Sequence, residues 1–286
     1  YKNHPVKGEL TVVKKGEVLK DYGKDFKYEI ENLAGAVFAV YAAEDIYTAD
    51  FQKDDAGNRI LEYAKDTLVA ELTTDETGSA TIKNLPLGNY KVVEKTAPDG
   101  FVHNGAEQNV QFVYVDQNTP VVVESVEFIN ERQKVEISVE KQDAENGSTI
   151  AGAEFGLYAK EDIKAGEKVI VKADEQLCTA VTGDDGTAVF EQDLPFGSYY
   201  IKELQAPDGF VSSDEIIEVT VSYQGQDVEV VRLKEIFKNQ PTTVEFTKSD
   251  LTTGVELDGA TLTVFDKDGN EIDKWTSVKG EPHIIK

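Results

Sequence analysis

The chain repeats itself, and that repeat constrains the fold more than any other feature. "LAGAVFAVYAAEDI" (33–46) returns as "IAGAEFGLYAKEDI" (150–163). "YKVVEKTAPDGF" (90–101) returns as "YYIKELQAPDGF" (199–210), and "VEFINERQ" (126–133) as "KEIFKNQ" (234–240). A third copy opens at "TVEFTKSDLTTGVELDGATLTVFDKDGNEIDKW" (243–275) and has no counterpart of the Pro-Asp-Gly stretch before Lys286. One repeat must therefore bury its own core and still join its neighbours in tandem. The expected units are 1–133, 134–240 and the opening part of a third over 241–286.

The repeats read as strands. Valine, isoleucine, threonine and tyrosine dominate runs of four to eight residues, and Asp-Gly, Thr-Gly and Pro-Asp-Gly punctuate them. Two runs, 59–72 and 159–174, leave room for a helical turn, although "TLVAEL" and "KVIVKA" within them look like strands. Short strands, many turns and no long helical period predict an all-β chain with one β-sandwich per repeat. No Gly/Ser-rich linker separates the repeats. "NERQKVEISV" and "KNQPTTVEF" pass almost directly from a last strand to a first strand, which predicts a stiff rod.

Composition narrows the function. The 54 acidic against 29 basic residues give a formal charge of −25, which repels nucleic acid and anionic membrane surfaces. No run approaches the roughly 20 apolar residues of a membrane span, and no signal peptide or lipidation signal is present. The sequence reads as a fragment whose targeting signals lie outside it. Cys178 is the one cysteine, so no internal disulfide forms, and methionine is absent. Lacking that oxidisable side chain fits an extracellular life.

Side chains alternate faces along a strand, so residues two apart share a face. In "YYIKE", Tyr199, Ile201 and Glu203 align; in "YKVVE", Tyr90, Val92 and Glu94 do the same. Each glutamate thus sits on the apolar, core-facing side. The first strands repeat the pattern with lysine. Lys14 shares a face with Leu10 and Val12, Lys141 with Val135, Ile137 and Val139, and Lys248 with Val244 and Phe246. Lys15 is adjacent in the first repeat, but the face argument selects Lys14. In the last strands Phe128 phases with Asn130 and Phe237 with Asn239.

Charged side chains are rarely buried unless paired. One reading is a structural ion pair with a hydrogen-bonding asparagine; another is that the strand ends reach solvent. The recurrence of all three residue types at matching places favours chemistry. Burial favours the neutral forms of both amine and carboxylic acid. A neutral lysine can attack the asparagine carbonyl, and a protonated glutamic acid can polarise it and help expel ammonia. The product is an amide cross-link, made once and without turnover. It would join Lys14 to Asn130 and Lys141 to Asn239, with Glu94 and Glu203 as promoters. Lys248 has neither partner within the sequence and is left unpaired.

"KVEISVEKQDAENGSTIAGAEFGLY", "LPFGSYYIKELQAPDGF" and "EIFKNQ" resemble the Cna-B-like, SpaA-type modules of Gram-positive surface proteins and pilins. The resemblance covers essentially the whole chain. It implies tandem prealbumin-like (inverse immunoglobulin-type) sandwiches with intramolecular Lys–Asn isopeptide bonds promoted by the strand-end glutamate. The first repeat departs from the pattern by extra residues between Lys14 and "LAGAVF" and by an insertion around "YTADFQKDDAGNR". "YKNHPVKGE" faintly resembles the Tyr-Pro-Lys motif used by pilin-polymerising sortases, but it lacks the proline after Tyr1. It reads better as the tail of a preceding module.

The expected function is a structural stalk or pilus shaft on a Gram-positive cell surface, partnered by neighbouring modules of the same protein. The alternatives are an adhesive module that binds a host matrix protein or glycan through residues 47–58, and a non-catalytic accessory region of a surface enzyme. No cofactor, metal, nucleic acid or membrane insertion is expected. His4, His103 and His283 lack ligand spacing, and the Asp-rich turns lack that of a calcium loop.

Overall fold

The structure is a computed structural model that describes residues 4–49 and 52–286. The Tyr1–Lys2 pair, and Asp50 and Phe51 of the 47–58 insertion, lie outside the described residues. Every regular element among the described residues is a strand, so no helix is long and apolar enough to cross a membrane.

Among the described residues, ten strands belong to the first repeat: β1 Lys7–Tyr22, β2 Phe26–Asn32, β3 Val37–Ala42, β4 Ile46–Tyr47, β5 Leu61–Tyr63, β6 Leu68–Thr73, β7 Ser79–Leu85, β8 Gly88–Thr96, β9 Glu107–Phe112 and β10 Val121–Asn130. Nine follow in the second: β11 Lys134–Asp143, β12 Glu154–Ala159, β13 Ile163–Ala165, β14 Lys168–Val171, β15 Gln176–Val181, β16 Thr187–Val189, β17 Gly197–Gln205, β18 Ile216–Val221 and β19 Val230–Asn239. The remainder holds β20 Val244–Phe246, β21 Thr261–Phe265, β22 Glu271–Thr276 and β23 His283–Ile285. The two runs that could have carried a helical turn contribute β5, β6, β13 and β14 instead. Their β-branched and aromatic residues pack better on a pleated sheet than round a helix.

Both complete repeats are sandwiches with the same topology. In the first, β1 lies between β10 and β7 in one sheet, and the other sheet has the order β6-β3-β8-β9. In the second, β16-β11-β19 faces β15-β12-β17-β18. The first and last strands of each repeat, β1 with β10 and β11 with β19, run parallel. Chain entry and chain exit are thereby placed at opposite ends of a module. Strict alternation of buried and half-buried residues along β1 and β11 points Leu10, Val12 and Lys14, and Val135, Ile137, Val139 and Lys141, into the cores.

The extra residues after Lys14 have a use that sequence reasoning did not give them. β1 runs on to Tyr22 and turns into β2, forming a hairpin that packs against the second module. Phe26 is 6% exposed and belongs to the core cluster of residues 135–237. The Tyr28 hydroxyl donates to the Asp193 carbonyl (2.8 Å), Lys168 pairs with Asp21 (3.1 Å), and Lys134 pairs with Glu17 (2.8 Å). The Arg132 guanidinium lies 3.8 Å from the centroid of the Tyr28 ring. With only Glu131, Arg132 and Gln133 between β10 and β11, the hairpin adds a second, non-covalent connection between the modules.

Candidate functional site: a buried lysine, glutamate and asparagine in each module

In the first module Lys14 and Asn130 come from neighbouring parallel strands. Lys14 lies opposite Phe128, and Gly16 opposite Asn130. Glu94 comes from the facing sheet, opposite Phe38. The second module uses the same register: Lys141 opposite Phe237, Asp143 opposite Asn239, and Glu203 opposite Phe155. Each trio therefore spans the sandwich, with lysine and asparagine on one sheet and glutamate reaching over from the other.

The distances are short in both copies. Lys14 Nζ lies 2.9 Å from Glu94 Oε1, and Asn130 Nδ2 donates to Glu94 Oε2 at 2.7 Å. Lys141 Nζ lies 2.9 Å from Glu203 Oε1, while Asn239 Nδ2 donates to both carboxylate oxygens, at 2.8 and 2.9 Å. The Lys14, Glu94 and Lys141 side chains are 0% exposed and that of Glu203 is 1%. Two aromatic rings wall each site, Phe38 with Phe128 and Phe155 with Phe237, each pair 4.8 Å apart between centroids. Lys141 Nζ is 5.7 and 6.0 Å from the centroids of its two rings. Such surroundings disfavour an ammonium, and burial lowers the pKa of both Lys14 and Lys141 from the ordinary 10.5 despite the opposing pull of the paired glutamate.

Asn130 Oδ1 and Asn239 Oδ1, both buried, accept no hydrogen bond. Buried polar atoms without such bonds are costly, and a native core rarely keeps several together. The outer face of each glutamate differs between copies. The Ser213 N–H donates to Glu203 Oε2 (2.8 Å), whereas His103 Nε2 contacts the Glu94 backbone carbonyl (2.8 Å). Sequence reasoning missed Phe38 and Phe155, although "AVFAVY" and "AEFGLY" carry them at the same place in both repeats. Lys15 points away and pairs with Glu127 at the half-exposed surface.

Lys248 is placed differently. β20 ends at Phe246, and Lys248 is exposed beyond it, with no buried glutamate or asparagine beside it. Phe246 instead packs on Trp275, whose ring stacks on His283 at 4.1 Å. His283 is thus a packed residue, and its Nε2 lies 2.7 Å from Asp273 Oδ2. Cys178 is half-buried, and burial pushes its thiol up to about 11, so it is inert as a nucleophile. Tyr47, Thr48, Ala49 and Gln52 of the 47–58 insertion line a recess at the end of the first module where the chain enters.

The SpaA prealbumin-like fold domain matches twice, over residues 24–127 and 135–235. Among solved structures, the Bacillus anthracis TIE protein is 25% identical with a TM-score of 0.63, covering 98% of this chain and 43% of that one. The chain thus spans less than half the length of that protein. A streptococcal ancillary pilin is 22% identical (TM-score 0.31, covering 84% and 64%), and the shaft pilin SpaA from Lactobacillus rhamnosus GG is 14% identical (TM-score 0.29, covering 83% and 98%). No curated protein matches the chain. By fold and by two matches that together cover most of its length, the chain belongs to the SpaA-type prealbumin-like domain family.

Proposed function

We propose that the chain is a stalk or pilus-shaft segment of a Gram-positive cell-surface protein, and that each complete module closes itself with a Lys–Asn amide bond. The single observation that supports this most is the recurrence of one buried Lys–Glu–Asn cluster, in the same register and behind the same aromatic pair, in two copies of the fold. A purely structural ion pair does not require an asparagine whose carbonyl goes without a donor.

The step conserves atoms and charge. A proton passes from the lysine ammonium to the glutamate across their 2.9 Å contact, leaving a neutral amine and a neutral acid. This exchange removes two opposite charges from an apolar site. Turning the asparagine amide over places Oδ1 against the protonated carboxyl, which polarises the carbonyl. Nζ attacks Cγ, the glutamate relays a proton from Nζ to Nδ2, the Cγ–Nδ2 bond breaks, and ammonia leaves. Glu94 and Glu203 are the promoters, Lys14–Asn130 and Lys141–Asn239 the joined pairs. The reaction happens once per module and turns over nothing.

Intact-mass measurement with peptide mapping tests the proposal. The expected result is a mass lower than that of the sequence by one ammonia per complete module, with branched peptides joining Lys14 to Asn130 and Lys141 to Asn239. An unshifted mass in folded protein overturns it.

A further inference from the structure

The joint between the first two modules is built from a few parts. The Ala97–Phe101 turn at the exit of the first module meets the loop between β18 and β19 of the second. The Ala97 N–H donates to Gln226 Oε1 (3.0 Å) and the His103 N–H to the Gln226 carbonyl (2.9 Å), so one glutamine holds both ends of the turn. The linker holds the middle: the Gln133 N–H donates to the Gly100 carbonyl (2.8 Å). Gly100, at φ +91, also faces the Phe196 ring, which would lie 3.6 Å from a Cβ there. At the next joint the Thr242 N–H donates to the Gly209 carbonyl (2.8 Å) in the same way. The Pro-Asp-Gly turn, whose sequence recurs so closely, is thus the piece that a module offers to whatever follows it.

The first module has the matching receiving end. Its loop between β9 and β10, residues 113–120, is as long as the 222–229 loop, with tyrosine second (Tyr114, Tyr223) and glutamine fifth (Gln117, Gln226) in both. The Lys7 N–H donates to the Pro120 carbonyl (3.1 Å) as the Lys134 N–H does to Glu229 (2.9 Å), which fixes the correspondence of the entering chains. Pro86 and Leu87 stand where Pro195 and Phe196 stand in the second module. The paired strands β4 and β5, beside which Tyr47 and Arg59 line the recess, match the paired strands β13 and β14, which reach back to the preceding module through Lys168 and Asp21. Exposure is what differs. Residues 113–118 are all exposed, Tyr114 by 60%, whereas Tyr223, Gly225 and Gln226 are half-buried in the joint. The loop and its surroundings line a recess of about 690 Å³.

We propose that this recess is a docking socket for the Pro-Asp-Gly turn of another module of the same kind, joined directly ahead of His4. Sequence identifies the occupant: Tyr1-Lys2-Asn3-His4-Pro5 follows Phe237-Lys238-Asn239-Gln240-Pro241, the strand end and linker of a complete module. The turn's glycine carbonyl accepts from the Val6 N–H, and its flanking N–H groups meet Gln117. Val6 lacks the side-chain amide of Gln133, but so does Thr242, which still reaches Gly209. The recess is accordingly a structural joint, and the exposed Val113, Tyr114 and Val115 are the apolar part of its contact surface. The proposal requires a tandem array but neither amide cross-link.

The test extends the full chain by a second copy of residues 134–239 placed directly ahead of His4 and follows amide hydrogen exchange in residues 113–119. The expected result is ~10-fold or greater slowing relative to the unextended chain, lost again in Gln117→Ala. Unchanged exchange beside a protease-resistant added module overturns the proposal. Slowing that grows with protein concentration in the unextended chain also overturns it, because the occupant would then be a second copy. Should the added module not fold, a peptide of sequence EKTAPDGFVH is titrated into the full chain. Peptide at millimolar concentration, comparable to the effective concentration a short tether supplies, should shift the resonances of residues 113–119. No shift overturns the proposal.

Discussion

Removing the carboxyl of Glu203 separates a promoter of bond formation from an ordinary core residue. In Glu203→Ala the second module should retain its ammonia, while the first still loses one. The consequence for stability follows from the loop that the bond closes. Lys141 and Asn239 are 98 positions apart. If the chain-entropy relation for disulfides holds for this amide, the link stabilises the module by about 4.7 kcal/mol at 25 °C. A module of this size unfolds with an entropy of about 0.2 kcal/mol/K, so the loss lowers Tm by roughly 20 °C. Asn239→Ala should show at least that drop, since it also loses the donations to Glu203 at 2.8 and 2.9 Å, but it keeps the 2.9 Å contact between Lys141 and Glu203. Glu203→Ala should fall further, since breaking a buried pair from one side costs about 3–5 kcal/mol more. Intact mass and scanning calorimetry on the two variants read both quantities. Ammonia loss from the second module of Glu203→Ala, or a Tm equal to wild type in both variants, would refute the reasoning.

Three other outcomes are expected. Lys14→Arg should abolish the ammonia loss of the first module and Lys15→Arg should not, as read by peptide mass; the reverse would place the bond on the surface lysine. Asn239→Ala should gain stability relative to wild type as pH rises from neutral toward 10.5. Its free Lys141 is held below that value by burial, so in this window the unfolded chain binds the extra proton, and stability increases with pH. Denaturant titrations at matched pH check this, and a constant difference from wild type would exclude a buried, titrating amine. Phe26→Ala should lower the Tm of the second module by several degrees or more, although the residue precedes that module by more than a hundred positions, and should leave both ammonia losses intact. A change confined to the first module would rule out the hairpin as a clamp.

The inward orientation of the lysines, glutamates and asparagines was legible because β alternation has a period of two and each residue sits beside two or three apolar residues of the same phase. What alternation cannot give is register between strands distant in sequence. Phe38 and Phe155 looked like generic core residues, since nothing in "AVFAVY" says that its phenylalanine lies opposite a glutamate more than fifty positions on. The hairpin of β1 and β2 was hidden for a related reason. "GEVLKDYGKDFKYEI" registered only as extra residues after Lys14, and no strand pattern says which module its apolar residues enter. Phe26 enters the neighbour's. Lys248 shows the opposite limit: its spacing from Val244 and Phe246 implied a shared inward face, but β20 ends before reaching it.

Topology and the proposed bonds together define how such a chain would carry tension. Because β1 and β10 run parallel, force applied to the two ends of the first module enters at Lys7 and leaves beyond Asn130, loading their shared hydrogen bonds in shear. An amide between Lys14 and Asn130 shortens that path: tension follows the backbone from Lys7 to Lys14, crosses the side chains and leaves into the linker. Residues 15–129, with most of the core, bear none of it. The linker Glu131–Gln133 then becomes the unbridged part of the path, since no such amide spans it. The joint concentrates its contacts there. Gln133 bonds the carbonyls of Gly225 and Val228 as well as Gly100, Arg132 pairs with Asp193, and the hairpin of residues 15–32, lying off the loaded path, is anchored on the second module. Tension in the linker cannot peel that hairpin from its own end, so the clamp resists bending at the joint while the backbone carries the pull. The proposed covalent short cut inside each module and the non-covalent clamp between modules would thus address different modes of failure, stretching in one case and hinging in the other.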